Sequence, residues 1–128
     1  MRVMMCLFTL LTVIGCVAST GKGVQAQAAA TTDGEKLFER RCGGCHSMDK
    51  DKEGPRLRGV YGRKSGSVQG YDYSAGLKRA QFIWDDATLD KWLTNTDAAV
   101  AGNNMDFSVS KAEERTAIIA FLKSDAGR

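Results

Sequence analysis

Histidine and cysteine are scarce in this sequence: among 128 residues His46 is the only histidine, and there are four cysteines. Two of the cysteines, Cys6 and Cys16, lie in an N-terminal segment with the features of a leader, which leaves Cys42 and Cys45. One close pair of cysteines excludes a framework of several disulfides. A structural zinc site is also disfavoured, because it needs further cysteine or histidine ligands that the domain lacks.

An excess of charge of one sign is also absent. The chain has 18 Lys and Arg against 15 Asp and Glu, and loss of the leader would remove two basic residues, Arg2 and Lys22. Binding to nucleic-acid phosphates requires a strong basic surplus. The composition therefore argues against a nucleic-acid partner.

Strand signals are weak throughout, and there is no internal repeat.

The N-terminal segment has the pattern of an export signal. Arg2 provides a positive start, and residues 3–18 carry no charge but fall short of the roughly 20 strongly apolar residues of a membrane span. Small residues at 24–29 predict cleavage after Ala26 or Ala28. We therefore assign residues 1–28 to a cleavable secretion signal, 29–31 to a linker and 32–128 to one domain, located in the periplasm.

Residues 13–16 allow a second interpretation, because they resemble the lipobox of bacterial lipoproteins. Cys16 would then carry lipid and tether the domain to a membrane. Without that lipid, we expect membrane contact only through partner proteins.

Residues 42–46, with the sequence C-G-G-C-H, match the C-x-x-C-H motif of c-type haem attachment. Two thiols three positions apart can each reach one vinyl group at the haem edge, and the adjacent imidazole is then delivered beneath the iron. Gly43 and Gly44 add no bulk where the backbone approaches the ring. The motif predicts one covalent haem c, held by Cys42 and Cys45, with His46 as an iron ligand.

A C-x-x-C pair also occurs in other kinds of site. A thioredoxin-like pair would follow a β-strand, whereas residues 32–41 have a helical pattern. The spacing alone is also compatible with a plain structural disulfide.

A low-spin electron-transfer haem needs a second axial donor opposite His46. No second histidine exists, and three of the five methionines lie in the leader. Met48 is too close in sequence to His46 to reach the opposite face of the ring. Met105, in a Gly/Asn-rich loop, is therefore the predicted sixth ligand, and a thioether in this position raises the reduction potential.

Helical patterns account for most of the expected secondary structure. A capping-box pattern predicts that the first helix begins at Thr32 or Asp33. Apolar periodicity predicts short helices over 74–80 and 86–94, and a last helix that opens with a second capping box at 110–113. Residues 47–70 are rich in glycine and contain the single proline, which indicates a loop. The expected fold is all-α, with three to five helices and long loops around a cofactor that fills the centre.

From about residue 33 to 123 the sequence resembles the class I cytochrome c family, in particular the branch with mitochondrial and soluble bacterial members. Residues 34–38, G-E-K-L-F, resemble the first helix of the family, and residues 118–122, I-I-A-F-L, resemble the C-terminal helix that crosses it. The resemblance implies the class I fold around one covalent haem, and a carrier of electrons rather than an enzyme.

The resemblance also implies roles for individual residues. Pro55, in G-P-R-L, corresponds to the proline whose carbonyl accepts a hydrogen bond from the proximal histidine. Arg63, Tyr73 and Trp84 correspond to residues that bind a haem propionate. Arg41, Lys52 and Lys111 fall near the docking rim of the family, where Asp97 and Asp106 would counter them and weaken electrostatic steering.

The methionine loop departs from the family pattern. Thr96 and Ala101 stand where prolines are frequent, Asn103 where threonine is common, and Trp92 where tyrosine is common. Loss of each proline should loosen the loop by some tenths to about 1 kcal/mol. This predicts a more labile bond from Met105 to iron than in relatives with those prolines.

The function implied by these features is one-electron transfer between transient redox partners of a respiratory or photosynthetic chain. Two alternatives remain open at the level of sequence. One is a haem-bearing subunit of a larger dehydrogenase or oxidase complex. The other is a five-coordinate haem protein with peroxidase-like or gas-binding activity, although no distal histidine or evident acid–base residue supports it.

Overall fold

Helices and irregular loops make up the architecture of the domain. The computed structural model describes residues 22–125. Within that range lie five helices: α1 (Lys22–Arg41), α2 (Ala75–Arg79), α3 (Asp86–Thr94), α4 (Thr96–Ala99) and α5 (Ala112–Ser124). The only strand-like pairing in this part of the chain is an isolated bridge between Lys64 and Ile83. The all-α prediction is thus confirmed.

Helix α1 begins earlier than its capping pattern predicted. The expected start was Thr32 or Asp33, but the helix extends back to Lys22. Residues 26–30 are rich in alanine, the best helix former, and once a helix exists each further residue adds a hydrogen bond at little cost. The 29–31 segment expected to be a linker is therefore helical. Residues 1–21, which include Cys16 and most of the proposed signal, lie outside the described residues.

Helices α2 and α3 match their predicted ranges, and both have side-chain caps. Ser74 Oγ accepts a hydrogen bond from the N–H of Leu77 at the start of α2. At the start of α3, Asp85 Oδ1 accepts from the N–H of Thr88, and Thr88 Oγ1 accepts from the N–H of Asp85, each at 2.8 Å. These reciprocal bonds satisfy donors that every helix leaves unpaired at its N-terminus.

The predicted capping box at 110–113 is wrong. Helix α5 begins at Ala112, its N-cap is Lys111, and no side chain caps it. Arg115 instead fixes the segment that precedes the helix. Its Nη1 donates to the carbonyls of Val109 at 2.9 Å and Ser110 at 3.1 Å. Its Nε also pairs with Asp90 at 2.7 Å, which ties α5 to α3.

The crossing of α1 and α5 has the close contact that the sequence resemblance implied. A Cβ atom on Gly34 would lie 2.0 Å from the carbonyl oxygen of Ala117, so only glycine permits this approach. The rings of Phe38 and Phe121 pack across the same crossing with centroids 5.4 Å apart. The core continues from here toward the haem motif and consists of Phe38, Cys42, Val60, Trp84, Leu89, Trp92, Leu93, Val100, Val109, Ile118, Ile119 and Leu122.

Among residues 22–125, no helix combines the length and the apolar character needed to cross a bilayer.

Candidate functional site

The C-x-x-C-H segment follows directly from the end of α1. The N–H groups of Cys42 and Gly43 donate to the carbonyl of Phe38 at 2.7 and 3.0 Å, and the N–H of His46 donates to the carbonyl of Cys42 at 2.8 Å. These hydrogen-bonded turns continue directly from the last turn of α1. They fix the positions of both thiols and the imidazole relative to a rigid helix.

Both cysteines are free thiols, with Cys42 buried and Cys45 exposed. Burial raises the pKa of Cys42 to about 11. The pKa of Cys45 is raised as well, first by its hydrogen bond to Glu53, at 3.2 Å from the sulfur. A redox-active C-x-x-C pair needs a lowered thiol pKa. These environments, and the helix rather than a strand before the motif, argue against the thioredoxin-like alternative.

His46 is buried, with 9% of its surface exposed, and its ring is oriented by one hydrogen bond. The Nδ1 atom lies 2.9 Å from the carbonyl oxygen of Pro55. Because a carbonyl can only accept, Nδ1 must carry the proton in this bond, and the lone pair of Nε2 is left to bind a metal. Burial lowers the pKa of His46, which also favours the neutral ligand form.

Gly54 forms one wall against the same ring. A Cβ atom at this position would lie 2.1 Å from Cε1 and 2.5 Å from Nδ1 of His46. The backbone N–H of Gly54 donates to the carbonyl of Cys45 at 2.8 Å, and this bond keeps the backbone of Gly54 next to the C-x-x-C-H motif. Sequence reasoning quoted Gly54 only as part of the G-P-R-L motif and missed this role.

Arg63 is a partly buried cation with no carboxylate partner among the residues described. Its guanidinium donates to the carbonyls of Arg58 at 3.0 Å and Arg56 at 3.1 Å, and burial lowers its pKa. Taking such a charge out of water is costly unless an anion balances it. The surroundings of Arg63 therefore suit a carboxylate that residues 22–125 do not supply.

Two further residues predicted to bind a propionate lie close to Arg63. The N–H of Trp84 donates to the carbonyl of Arg63 at 2.9 Å, and the indole ring packs edge-on against Phe82. Tyr73 is buried, and its hydroxyl accepts from the N–H of Val68 at 3.4 Å. Burial raises the pKa of Tyr73, while the charge of Arg63 acts to lower it. The structure thus brings Arg63, Tyr73 and Trp84 together.

Met105 is half-buried and packs against the core cluster that contains Cys42 and Trp92. Its N–H donates to Oδ1 of Asn103 at 2.7 Å. The next residue, Asp106, has a positive φ of 37°. Met48 also contacts the core cluster, so the two methionines of the described domain lie in apolar surroundings.

Taken together, these residues fit a covalently attached haem. They provide two protonated thiols, an oriented neutral imidazole, a thioether beside the same core and a cation that bonds to no carboxylate within residues 22–125. Each of these properties belongs to the chain itself and matches one need of the cofactor: attachment, proximal ligation, distal ligation and charge balance.

The three cations predicted at the docking rim are engaged with nearby groups. Arg41 pairs with Glu114 at 2.6 Å, and Lys111 lies 3.6 Å from the same carboxylate. Lys52 Nζ donates to the carbonyl of Gly43 at 2.6 Å. Glu114 was not singled out by sequence reasoning, because an acidic residue one turn into a helix is common and gives no signal of its partners.

Comparison with known proteins identifies the relatives of this chain. The family model described as Cytochrome c matches residues 31–125. Cytochrome c of Euglena viridis is 48% identical over 94 residues, which covers 71% of this chain and 92% of that protein. Cytochrome c of Gibberella zeae is 43% identical over 94 residues, covering 70% and 89%.

A solved structure gives the same result at the level of the fold. Cytochrome cH from Methylobacterium extorquens superimposes with a TM-score of 0.70 at 38% identity, covering 73% of this chain and 97% of that one. The family model, the relatives and the fold all indicate the same family. The chain belongs to the class I cytochrome c family and, like its members, is a haem c electron carrier and not an enzyme.

Proposed function

We propose that this chain is a periplasmic one-electron carrier with a single haem c attached through Cys42 and Cys45 and ligated by His46 and Met105. The observation that carries the proposal is the hydrogen bond from His46 Nδ1 to the carbonyl of Pro55, at 2.9 Å. It fixes the tautomer and the ring orientation that proximal ligation requires.

The haem, when bound, supplies the Fe(III)/Fe(II) couple, and the chain determines its surroundings. A thioether ligand from Met105 would favour the reduced iron and raise the potential. Buried Trp84 and Trp92, with ring centroids 5.5 Å apart, exclude water from the same core. Arg63, together with Tyr73 and Trp84, would bind a propionate, and the charge of Arg63 would balance it. With His46 and Met105 both holding the iron, no position would remain open for a substrate.

Partners are redox proteins that dock briefly, through interfaces below about 1,200 Å². The near balance of 18 basic and 15 acidic residues favours modest electrostatic steering. The pairing of Arg41 and Lys111 with Glu114 supports the same expectation, because part of the basic charge at the proposed rim is already neutralised.

Redox titration of the purified holoprotein tests the carrier role. The expected result is one covalent haem per chain by mass, lost in the Cys42→Ser/Cys45→Ser double variant, and a single reversible one-electron transition. Rapid peroxide turnover, or copurification in a stable complex with a dehydrogenase or oxidase, would contradict a free shuttle.

Location is tested separately by the mature N-terminus. A periplasmic protein beginning at Gln27 or Ala29 supports cleavage of the signal and eliminates a lipid anchor. A mature chain that begins at Cys16 and carries acyl groups would establish the tethered form instead.

A further inference from the structure

The loop that carries Met105 is closed at its base by two residues that bond to each other. The N–H of Thr96 donates to the carbonyl of Phe107 at 3.2 Å, and the N–H of Phe107 donates to Oγ1 of Thr96 at 2.9 Å. Thr96 is 1% exposed, so these bonds are shielded from water. A threonine at this position provides a hydroxyl and an N–H, whereas a proline would have neither.

Within the closed loop, the side chain of Asn103 makes three hydrogen bonds. Its Nδ2 donates to Oδ1 of Asp97 at 2.8 Å and to the carbonyl of Val100 at 3.0 Å. Its Oδ1 accepts from the N–H of Met105 at 2.7 Å. Since the N–H of Met105 can only donate, the orientation of the amide is determined, and both the carbonyl and the amino group are used.

The backbone around Met105 needs such support. Asp106 has a φ of 37°, in the left-handed region that a residue with a side chain adopts at a cost. Conformations of this kind persist only where neighbouring contacts hold them. The side chain of Asn103 provides this support, because it joins Asp97 on α4 to the backbone N–H of Met105.

We propose that Asn103 is a positioning residue for the distal iron ligand: with Asp97 as its anchor on α4, it holds the backbone of Met105 so that the thioether stays on the iron. This inference rests on the proposed function, in which Met105 is the sixth ligand. It also changes the expectation drawn from the missing prolines. Prolines would restrict the open loop, whereas the hydrogen bonds of Thr96 and Asn103 stabilise the closed loop. The bond from Met105 to iron should therefore be less labile than the missing prolines alone predict.

The test is displacement of Met105 by imidazole in the ferric holoprotein, followed by optical titration. Asn103→Ala removes three bonds and should strengthen apparent imidazole binding about tenfold, since each net hydrogen bond contributes modestly. Asp97→Ala removes only the anchor on an exposed residue and should give a smaller increase in the same direction. Asn104→Ala, at the exposed neighbour with no side-chain hydrogen bond among the described residues, is the matched control and should change nothing.

Phe121→Ala, at the crossing of α1 and α5, is the control that distinguishes a general loss of stability from a specific effect on the bond from Met105 to iron. That variant should lower the thermal unfolding midpoint and leave imidazole affinity unchanged. Equal imidazole affinity in wild type and Asn103→Ala, with methionine ligation visible in both spectra, would overturn the role of Asn103 alone. Absence of methionine ligation in the wild-type spectrum would overturn the proposed ligand and this inference together.

Discussion

Gly54 and His46 are in such close contact that a Cβ atom on Gly54 would lie 2.1 Å from Cε1 of the imidazole. Gly54→Ala must therefore displace the ring from its bond to Pro55. We expect a loss of stability of about 1–3 kcal/mol, the usual cost of overpacking, and less covalent holoprotein. Haem content per chain and denaturant unfolding measure the two effects.

Gly44 supplies the matched control for that substitution. A Cβ atom there would have no neighbour within 4 Å in the protein. Gly44→Ala adds the same methyl group inside the attachment motif but against no protein atom, so we expect holoprotein yield and stability closer to wild type than in Gly54→Ala. Equal behaviour of the two variants would show that the contact of Gly54 with the ring does not position His46.

The parts of the fold that sequence predicted well depend on local chemistry. Helix α3 was expected over 86–94, and its apolar residues Leu89, Trp92 and Leu93 are all buried. Their spacing is a property of the helix itself, so it is visible in the sequence. The hydrogen bond from His46 to Pro55 was also anticipated, because the resemblance supplied the pairing of two short motifs.

The parts that were missed depend on contacts between distant residues or on very short elements. Helix α4 has four residues, too few to show a helical period, and Asn95 at its cap is equally typical of a loop. The predicted start of α1 failed because alanine-rich residues before Thr32 continue the helix. The bonds of Asn103 could not be predicted, since an asparagine in a loop gives no indication of which groups it will meet.

Glu114 offers a test of how the proposed docking rim is neutralised. Its side chain, 18% exposed, lies 2.6 Å from Arg41 and 3.6 Å from Lys111. Glu114→Gln should release both cations, raise the rate of reduction by ferrocyanide at low ionic strength a few-fold, and steepen its dependence on salt. Stopped-flow kinetics across a range of salt concentrations measure both quantities.

Glu113→Gln is the control, because it makes the same change in net charge at the preceding, exposed position. A smaller effect there is expected. If the two variants accelerate reduction equally, only net charge matters, and Arg41 and Lys111 have no special place in docking.

A cluster of Tyr61, Asp86 and Lys123 predicts a pH dependence of stability. Lys123 Nζ lies 2.8 Å from Asp86 Oδ2 and 5.0 Å from the centre of the Tyr61 ring, whose hydroxyl also donates to Asp86. Hydrogen bonds from Lys123 and then Tyr61 lower the pKa of Asp86. A carboxyl group whose pKa is lower in the folded state stabilises the fold above its ordinary pKa.

That contribution is lost as the pH falls from about 4, the ordinary carboxyl pKa, through the lower folded-state pKa of Asp86. Wild type should therefore exceed Asp86→Asn in unfolding midpoint at neutral pH, and the difference should shrink in this acid range. Lys123→Gln should reduce the acid sensitivity of wild type in the same way. Parallel curves for wild type and both variants would show that this cluster does not couple folding to protonation.

The ferric absorption spectrum of the holoprotein tests the central claim most directly, through the weak long-wavelength band that marks methionine ligation of haem. Met105→Leu and Met48→Leu conserve volume at the two methionines that contact the core. We predict that wild type and Met48→Leu show the band and that Met105→Leu lacks it. A band that persists in Met105→Leu, or that wild type does not show, would contradict an electron carrier ligated by His46 and Met105.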